Sequence, residues 1–375
     1  MEIHGTCDEK FSSILEAFEK NFAEHGDIGA CFAATVEGEY VVDIWGGHQD
    51  EAKKRPWEKE TIINVYSTTK TMTFLCALML SDRDQLNLDA PVALYWPEFA
   101  SNNKDNVLVK HLLSHSAGLP GFSRALTNEE LFDWEFACND LARQQTWWTP
   151  GTQAGYHAIT QGHLIGEVIR RVTGKSFGQY FNEEVAQKVG ADFYVGVDEK
   201  DFGRIADLVA AKETLPILEM DPQSIPGRVF AGLDITPDTT GSAAWRKAEI
   251  PAANGHGNAR SVVRAQTALA NQGKAFGTEL MSKETCAMTL QPQISGNDLV
   301  LGLPVTYGLG YALKNEMIPM GPNQNVIWWG GAGGSSIVID ADAHVCCSYV
   351  MNQMDNNIVG DPRAVSLGSV LFENL

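Results

Sequence analysis

Many of the features that assign a chain to a class at sight are missing here. No run of about 18 uncharged apolar residues occurs, so no segment is expected to span or anchor in a membrane. No C-x-x-C occurs, and the seven cysteines are scattered and odd in number. They signal neither a disulfide framework nor a zinc site, and are expected to be small buried hydrophobes in a reducing compartment. The nine histidines lack metal spacing. His111 and His115 are four apart, but no H-E-x-x-H surrounds them. No metal or organic cofactor is therefore expected. No G-x-S-x-G occurs, which excludes the nucleophile elbow of the α/β-hydrolases. Basic charge is scarce: the net charge of −19 repels phosphate backbones and argues against nucleic acid. The first residues lack the basic-then-apolar pattern of a secretory leader. Instead Phe11, Ile14, Leu15, Phe18 and Phe22 recur at helical spacing, and the expectation is a mature start and a cytoplasmic protein. What remains is an ordinary globular mix, 44% hydrophobic and 20% charged over 375 residues, enough for one large domain or two.

Along the chain, two β-rich runs flank Glu37-Gly38-Glu39 and predict a hairpin of about Ala30–Thr35 with Tyr40–Trp45. "TIINVY" reads as a short strand or an extended lead into the helix near Ser67. From about Asp82 to residue 250 helical segments dominate, among them "VLVKHLLSH", "TNEELFDWEFACNDLARQ" and "AITQGHLIGEVIRRVTG". Thr127 and Glu130 form a capping-box signature, and Gly174 after Arg170-Arg171 marks a helix end. Leu215–Lys247, rich in Pro, Asp and Thr, reads as an extended loop. "RSVVRAQTALANQG" returns to helix, and the end of the chain is β-rich. The fold class expected is α+β, an antiparallel sheet flanked by helices with an inserted, mainly helical domain. Residues 1–82 and 255–375 would form the first unit, 83–254 the second, and the active site would lie in the cleft between them.

"NVYSTTKTMTFLCALML", Asn64 to Leu80, carries the chemistry. A separation of three puts Ser67 and Lys70 on one helix face. A helix N-terminus offers free N–H groups and partial positive charge, which stabilise an alkoxide and disfavour an ammonium. Burial against the apolar run lowers the lysine pKa further. A neutral lysine can accept the serine proton, making Ser67 a nucleophile and Lys70 its base. With 19 serines and 16 lysines, roughly one S-x-x-K is expected by chance. A second copy, Ser101 to Lys104, does occur, in a polar stretch that reads as a surface turn. Spacing alone favours a helix cap at Ser67 with Lys70 reaching to solvent.

The remaining blocks decide between these roles. "STTK", "LLSHSAGLPGF", "PGTQAGYHAITQGHLIGEVIRRVTGKSF", "ANGHGNAR" and "WWGGAGGSS" occur in this order. Together they resemble the serine β-lactamase-like family, and within it the esterase branch, the family VIII carboxylesterases. The resemblance implies an acyl-enzyme on Ser67 with Lys70 as its partner. It implies that Tyr156, in "GYHA", is the second-motif tyrosine, a tyrosinate that shares the serine proton and delivers it to the leaving group. It also implies that "WWGGAGG" is the third motif. The N–H groups of Ser67 and Ala332 would then form the oxyanion hole, with Trp329, Gly330 and Gly331 beside the substrate. His157 is a further substrate-contact candidate, and His256 is expected to support the cleft floor.

Two departures shape the expected substrate. Where β-lactamases place an asparagine two residues after the tyrosine, this chain has Ala158. Where their third motif has a lysine, it has Trp329. Both changes remove polar handles for an anionic amide. The expectation is a carboxylesterase acting on a small-molecule ester, with short acyl chains as the default because nothing in the sequence suggests a long tunnel. The rivals are an acyltransferase on the same scaffold, a weak β-lactamase or D,D-peptidase, and a non-catalytic acyl-binding sensor. Monomer and homodimer are equally open.

Overall fold

The structure, a computed structural model, describes residues 1–213, 220–231, 233–318, 320–357 and 359–375. Strands β1 (Ile3–Cys7), β2 (Gly29–Val36) and β3 (Glu39–Gly47) come from the start of the chain. A short β4 (Ile63–Asn64) precedes the nucleophile motif, and β5 (Tyr194–Val195) and β6 (Gly255–Gly257) join it in a small sheet ordered β4-β6-β5. The two-residue strands β7 (Lys274–Ala275) and β8 (Thr278–Glu279) pair with each other. The end of the chain supplies β9 (Ile294–Asn297), β10 (Pro304–Tyr307), β11 (Ala312–Leu313), β12 (Val326–Gly330), β13 (Ser336–Asp340) and β14 (Val345–Met351). The two chain ends join where β2 pairs with β14, in one antiparallel sheet ordered β1-β3-β2-β14-β13-β12-β11-β10-β9.

Side chains alternate across that sheet, as pleating demands. Phe32, Ala34, Cys347 and Tyr349 face the helices Ser13–Glu24 and Pro362–Glu373. Cys31, Ala33 and Cys346 face the helices Lys70–Asp82 and Ala259–Ala270. With both faces covered, β2 and β14 are buried almost throughout and read as continuous apolar runs. The helix Lys70–Asp82 lies deepest, with every residue from Lys70 to Leu80 buried. That explains a segment apolar on all sides rather than along one stripe.

The expected hairpin and the α+β architecture are present. Other expectations need correction. The start of the chain forms β1 ahead of its helix. This strand pairs only with β3 at the sheet edge, is largely exposed and carries Gly5, so no alternation announced it. The C-terminal helix Pro362–Glu373 lies in a region expected to be β-rich. The expected loop over Leu215–Lys247 is partly outside the described residues. Its described part holds three short helices, Ile225–Phe230, Pro237–Thr240 and Ala243–Lys247. Ser224, Thr236 and Ser242 cap them through their side chains, and the first two have a proline in the opening turn. The Pro, Ser and Thr content that suggested a loop is helix-start chemistry.

Candidate active site

Ser67 sits in a 3-10 turn, Tyr66–Thr69, that feeds directly into the helix at Lys70. Tyr66 has φ +43°, rare for an aromatic residue, and so turns the chain sharply just before the serine. The third-motif loop is pinned against this turn. Ser335 Oγ donates to the carbonyl of Val65 at 2.8 Å and lies 2.9 Å from Thr68 Oγ1. At Gly331 a β-carbon would stand 2.2 Å from the Val65 carbonyl oxygen and 2.4 Å from Ser335 Oγ. Only glycine permits this approach. Deeper down, the buried Arg363 reaches back from the C-terminal helix, donating to the Gly333 carbonyl at 2.9 Å while paired with Asp27 and Asp361.

Ser67, Lys70 and Tyr156 meet. Lys70 Nζ is 3.0 Å from Ser67 Oγ, and the Tyr156 hydroxyl is 2.6 Å from the same oxygen. Lys70 also donates to the carbonyls of Ala158, at 2.7 Å, and Ala252, at 2.9 Å. Among the described residues, no carboxylate makes an ion pair with it. Full burial without a counter-charge drives its pKa well below that of an ordinary lysine. A neutral amine has two N–H groups and one lone pair. Two carbonyls, which can only accept, take the N–H groups, and the lone pair faces the serine hydroxyl. Burial raises the Tyr156 phenol well above its usual pKa, opposed by its hydrogen bond to Ser67. The tyrosinate expected from the sequence is thus replaced by a neutral phenol that donates to Ser67 Oγ.

Tyr156 is held by a residue that sequence reasoning misses. Asp298, fully buried, accepts from the backbone N–H of Tyr156 at 3.0 Å. The same carboxylate accepts from Val300 and Leu301 N–H at 2.8 and 2.9 Å, and from the Tyr307 hydroxyl at 2.9 Å. No sequence signal marks it, because its bond to Tyr156 spans 142 positions, while its other partners, the N–H groups of Val300 and Leu301 and the Tyr307 hydroxyl, lie in its own segment. His115, in sequence only a poor metal candidate, also belongs to the site. It adopts φ +54° just past the helix Val109–Leu113 and stacks on Trp329 with ring centroids 5.3 Å apart. It accepts the His157 N–H at 3.0 Å.

Of the other candidates, Trp329, Gly330, Gly331 and Ala332 line the cavity at Ser67. Among the described residues, neither the N–H of Ser67 nor that of Ala332 has a hydrogen-bond partner within the chain. His157 needs correcting as a substrate contact. It is fully buried and does not line the cavity. Its Nδ1 bonds the Gly155 carbonyl and its Nε2 accepts the Leu119 N–H, which consumes both ring nitrogens. Burial lowers its pKa to about 3, so it stays neutral. His256 is likewise buried in β6, with Nδ1 bonded to the Asn254 carbonyl. The second S-x-x-K is structural: Lys104 donates to the Ser101, Ala142 and Gln144 carbonyls, with no hydroxyl among its partners. Among the described residues, no cluster of three potential metal ligands occurs and no helix is long and apolar enough to cross a membrane.

The family model named Beta-lactamase matches residues 15–369. The chain belongs to the Beta-lactamase family. It is 30% identical over 380 residues to "Esterase/beta-lactamase LipL" of Mycobacterium tuberculosis, spanning 98% of this chain and 86% of that one. A solved family VIII carboxylesterase superposes with a TM-score of 0.93 at 38% identity, covering the whole of both chains. A penicillin-binding protein homologue from Caulobacter crescentus does so with a TM-score of 0.93 at 34% identity, again over both full chains. The large antiparallel sheet with its flanking helices is the serine β-lactamase-like fold of these relatives.

Proposed function

We propose that the protein is a serine carboxylic ester hydrolase that works through an acyl-enzyme on Ser67. The observation that carries this reading is the three-way contact of Ser67 Oγ with a buried lysine lacking a counter-charge and a neutral tyrosine. Relatives named as esterases support the same activity class.

As Ser67 Oγ bonds to the ester carbonyl carbon, Lys70 Nζ takes its proton. The oxyanion is held by the N–H groups of Ser67 and Ala332. The tetrahedral intermediate collapses with loss of the alcohol, which receives the Tyr156 proton, and Lys70 returns a proton to Tyr156. Water then attacks the acyl-enzyme and gives up a proton to the same pair. Ser67 leaves with its hydrogen restored, and the acid is released. No charged group beyond these is needed.

An ester rather than a β-lactam fits the cavity. Among the described residues lining it, none is a lysine, arginine or histidine that would hold a β-lactam carboxylate. Ala158 and Trp329 stand where a polar amide handle and a cation would be needed. Acid quenching during p-nitrophenyl butyrate turnover, followed by peptide mapping, tests the reading. A butyryl group on the Ser67 peptide supports it. An adduct on another residue contradicts it.

A further inference from the structure

The cavity that opens at Ser67 continues far beyond the reacting atoms. Its volume is about 990 Å³, the upper end of the roughly 300–1,000 Å³ that holds a drug-sized ligand. A butyryl group would leave most of it empty, so the sequence-based reason for expecting short acyl chains, that nothing suggests a large apolar space, does not hold.

One end is formed by Ser67, Tyr156 and Trp329. The other is formed by Val365, Gly368 and Phe372 of the C-terminal helix, with Trp328 beside them. Trp328 and Trp329 are consecutive on β12, so their side chains leave opposite faces of the sheet. The same cavity is lined by Gly330, Gly331 and Ala332 at the end of the strand, where small or absent side chains leave room between the two faces. Leu301, Leu303, Val305 and Met320 add apolar wall. Among the described residues, the charged ones lining it are the carboxylates Glu213, Asp361 and Glu373, of which Asp361 is paired with Arg363. Met317 and Val365, 72% and 44% exposed, stand on its rim, a large-hydrophobic exposure that marks ligand grooves. Gly368 is a glycine inside a helix, where alanine would be the better helix former. A β-carbon added there meets nothing within 4 Å. Helix geometry does not require the glycine, and its missing side chain leaves the far lobe open.

We propose that the substrate class is an uncharged ester bearing a long or polycyclic hydrocarbon group, which runs from Ser67 over the Gly330–Ala332 turn to the helix Pro362–Glu373. The proposal rests on the acyl-enzyme chemistry proposed for Ser67. Among the described residues the wall carries carboxylates and no cation, which repels an anionic tail, and the apolar walls reward each methylene removed from water.

Two ester series test it: p-nitrophenyl esters from acetyl to decanoyl, and alkyl acetates from ethyl to decyl. In one series, kcat/KM should rise about fourfold per methylene beyond the fourth carbon until the lobe is filled. The rising series tells whether the acyl or the alcohol half enters the lobe. Gly368→Trp should cut the eight-carbon to four-carbon ratio of kcat/KM in that series at least tenfold, and Val365→Lys should lower it in the same direction should the tryptophan variant fail to fold. A kcat/KM that falls with length in both series overturns the proposal, as does a ratio that neither variant moves. Failure of the acyl-enzyme chemistry would show separately, as butyrate turnover that survives Ser67→Ala.

Discussion

The carboxylate of Asp298 accepts the backbone N–H of Tyr156 at 3.0 Å, although the two residues are 142 positions apart. That bond ties the turn carrying the candidate acid to the segment before β10. Asp298→Ala would leave the N–H groups of Tyr156, Val300 and Leu301 and the Tyr307 hydroxyl without their buried partner. The expected cost is about 2–4 kcal/mol of stability, with kcat reduced more than KM is raised because the phenol loses its position. Asp298→Asn, which keeps the shape and one acceptor, should recover part of both. Thermal unfolding and steady-state kinetics on the two variants check this. A full-activity Asp298→Ala would contradict it.

Lys70→Arg should be as inactive as Lys70→Met, a loss of about a thousandfold or more in kcat/KM. A guanidinium stays protonated and cannot act as the base. Both variants should also unfold at lower temperature: methionine leaves the Ala158 and Ala252 carbonyls without a donor, and arginine puts a larger, permanently charged group into the same buried space. Measurable turnover by Lys70→Arg would show that the lysine acts as a charge and not as a base.

On the proposed mechanism, the pH dependence of activity comes from the same lysine. Only its neutral form accepts the serine proton, so activity is present above its pKa in the folded protein and lost as pH falls through it. Burial places that pKa well below the ordinary 10.5. A kcat/KM profile should therefore show its ascending limb far below 10.5. A limb at the ordinary lysine value would contradict the neutral-amine account.

Stability should fall in acid for a separate reason. His157 and His256 have pKa values lowered to about 3, and His163 to about 4, in each case chiefly by burial. The unfolded chain binds protons at these residues near the ordinary 6.5, so between 6.5 and those depressed values it holds more protons than the folded one. Their contribution to stability is complete above 6.5 and is lost as pH falls toward 3 to 4. Thermal midpoints from about pH 8 to about pH 5 should decline below about 6.5. A flat profile would mean that these rings are not buried and neutral.

Ala332→Pro removes one of the two N–H groups proposed to hold the oxyanion and should cost about a hundredfold or more in kcat. Gly331→Ala acts through sterics, since its β-carbon would overlap the Val65 carbonyl beside the nucleophile. Kinetics on both should show kcat loss with little change in KM. Wild-type kcat in Ala332→Pro would rule out the assigned oxyanion site.

How much is legible in the chain depends on how local each signal is. Ser67 and Lys70 are three residues apart on one turn, and Gly330-Gly331 announces a close backbone approach, so short-range pattern brings them forward as candidates and the other blocks choose their role. Tyr156 needs the order of several blocks. Asp298 and Arg363 are invisible because the partners that tie them to the site, the Tyr156 N–H and the Gly333 carbonyl, are distant in sequence, and an isolated Asp or Arg reads as surface. His157 misleads by adjacency: it neighbours Tyr156 in the chain, yet successive side chains there point apart, and its ring is spent on the backbone of Gly155 and Leu119. Residues 224–243 mislead by composition, since caps and loops draw on the same amino acids. The far lobe has no signal at all, being a space between β12 and the C-terminal helix.

The most direct test compares hydrolysis of p-nitrophenyl butyrate by the wild type and by Ser67→Ala under identical conditions. The account predicts turnover in the wild type that falls to background in the variant, with the fold retained by thermal unfolding. Turnover that persists in a folded Ser67→Ala would contradict it and place the nucleophile elsewhere.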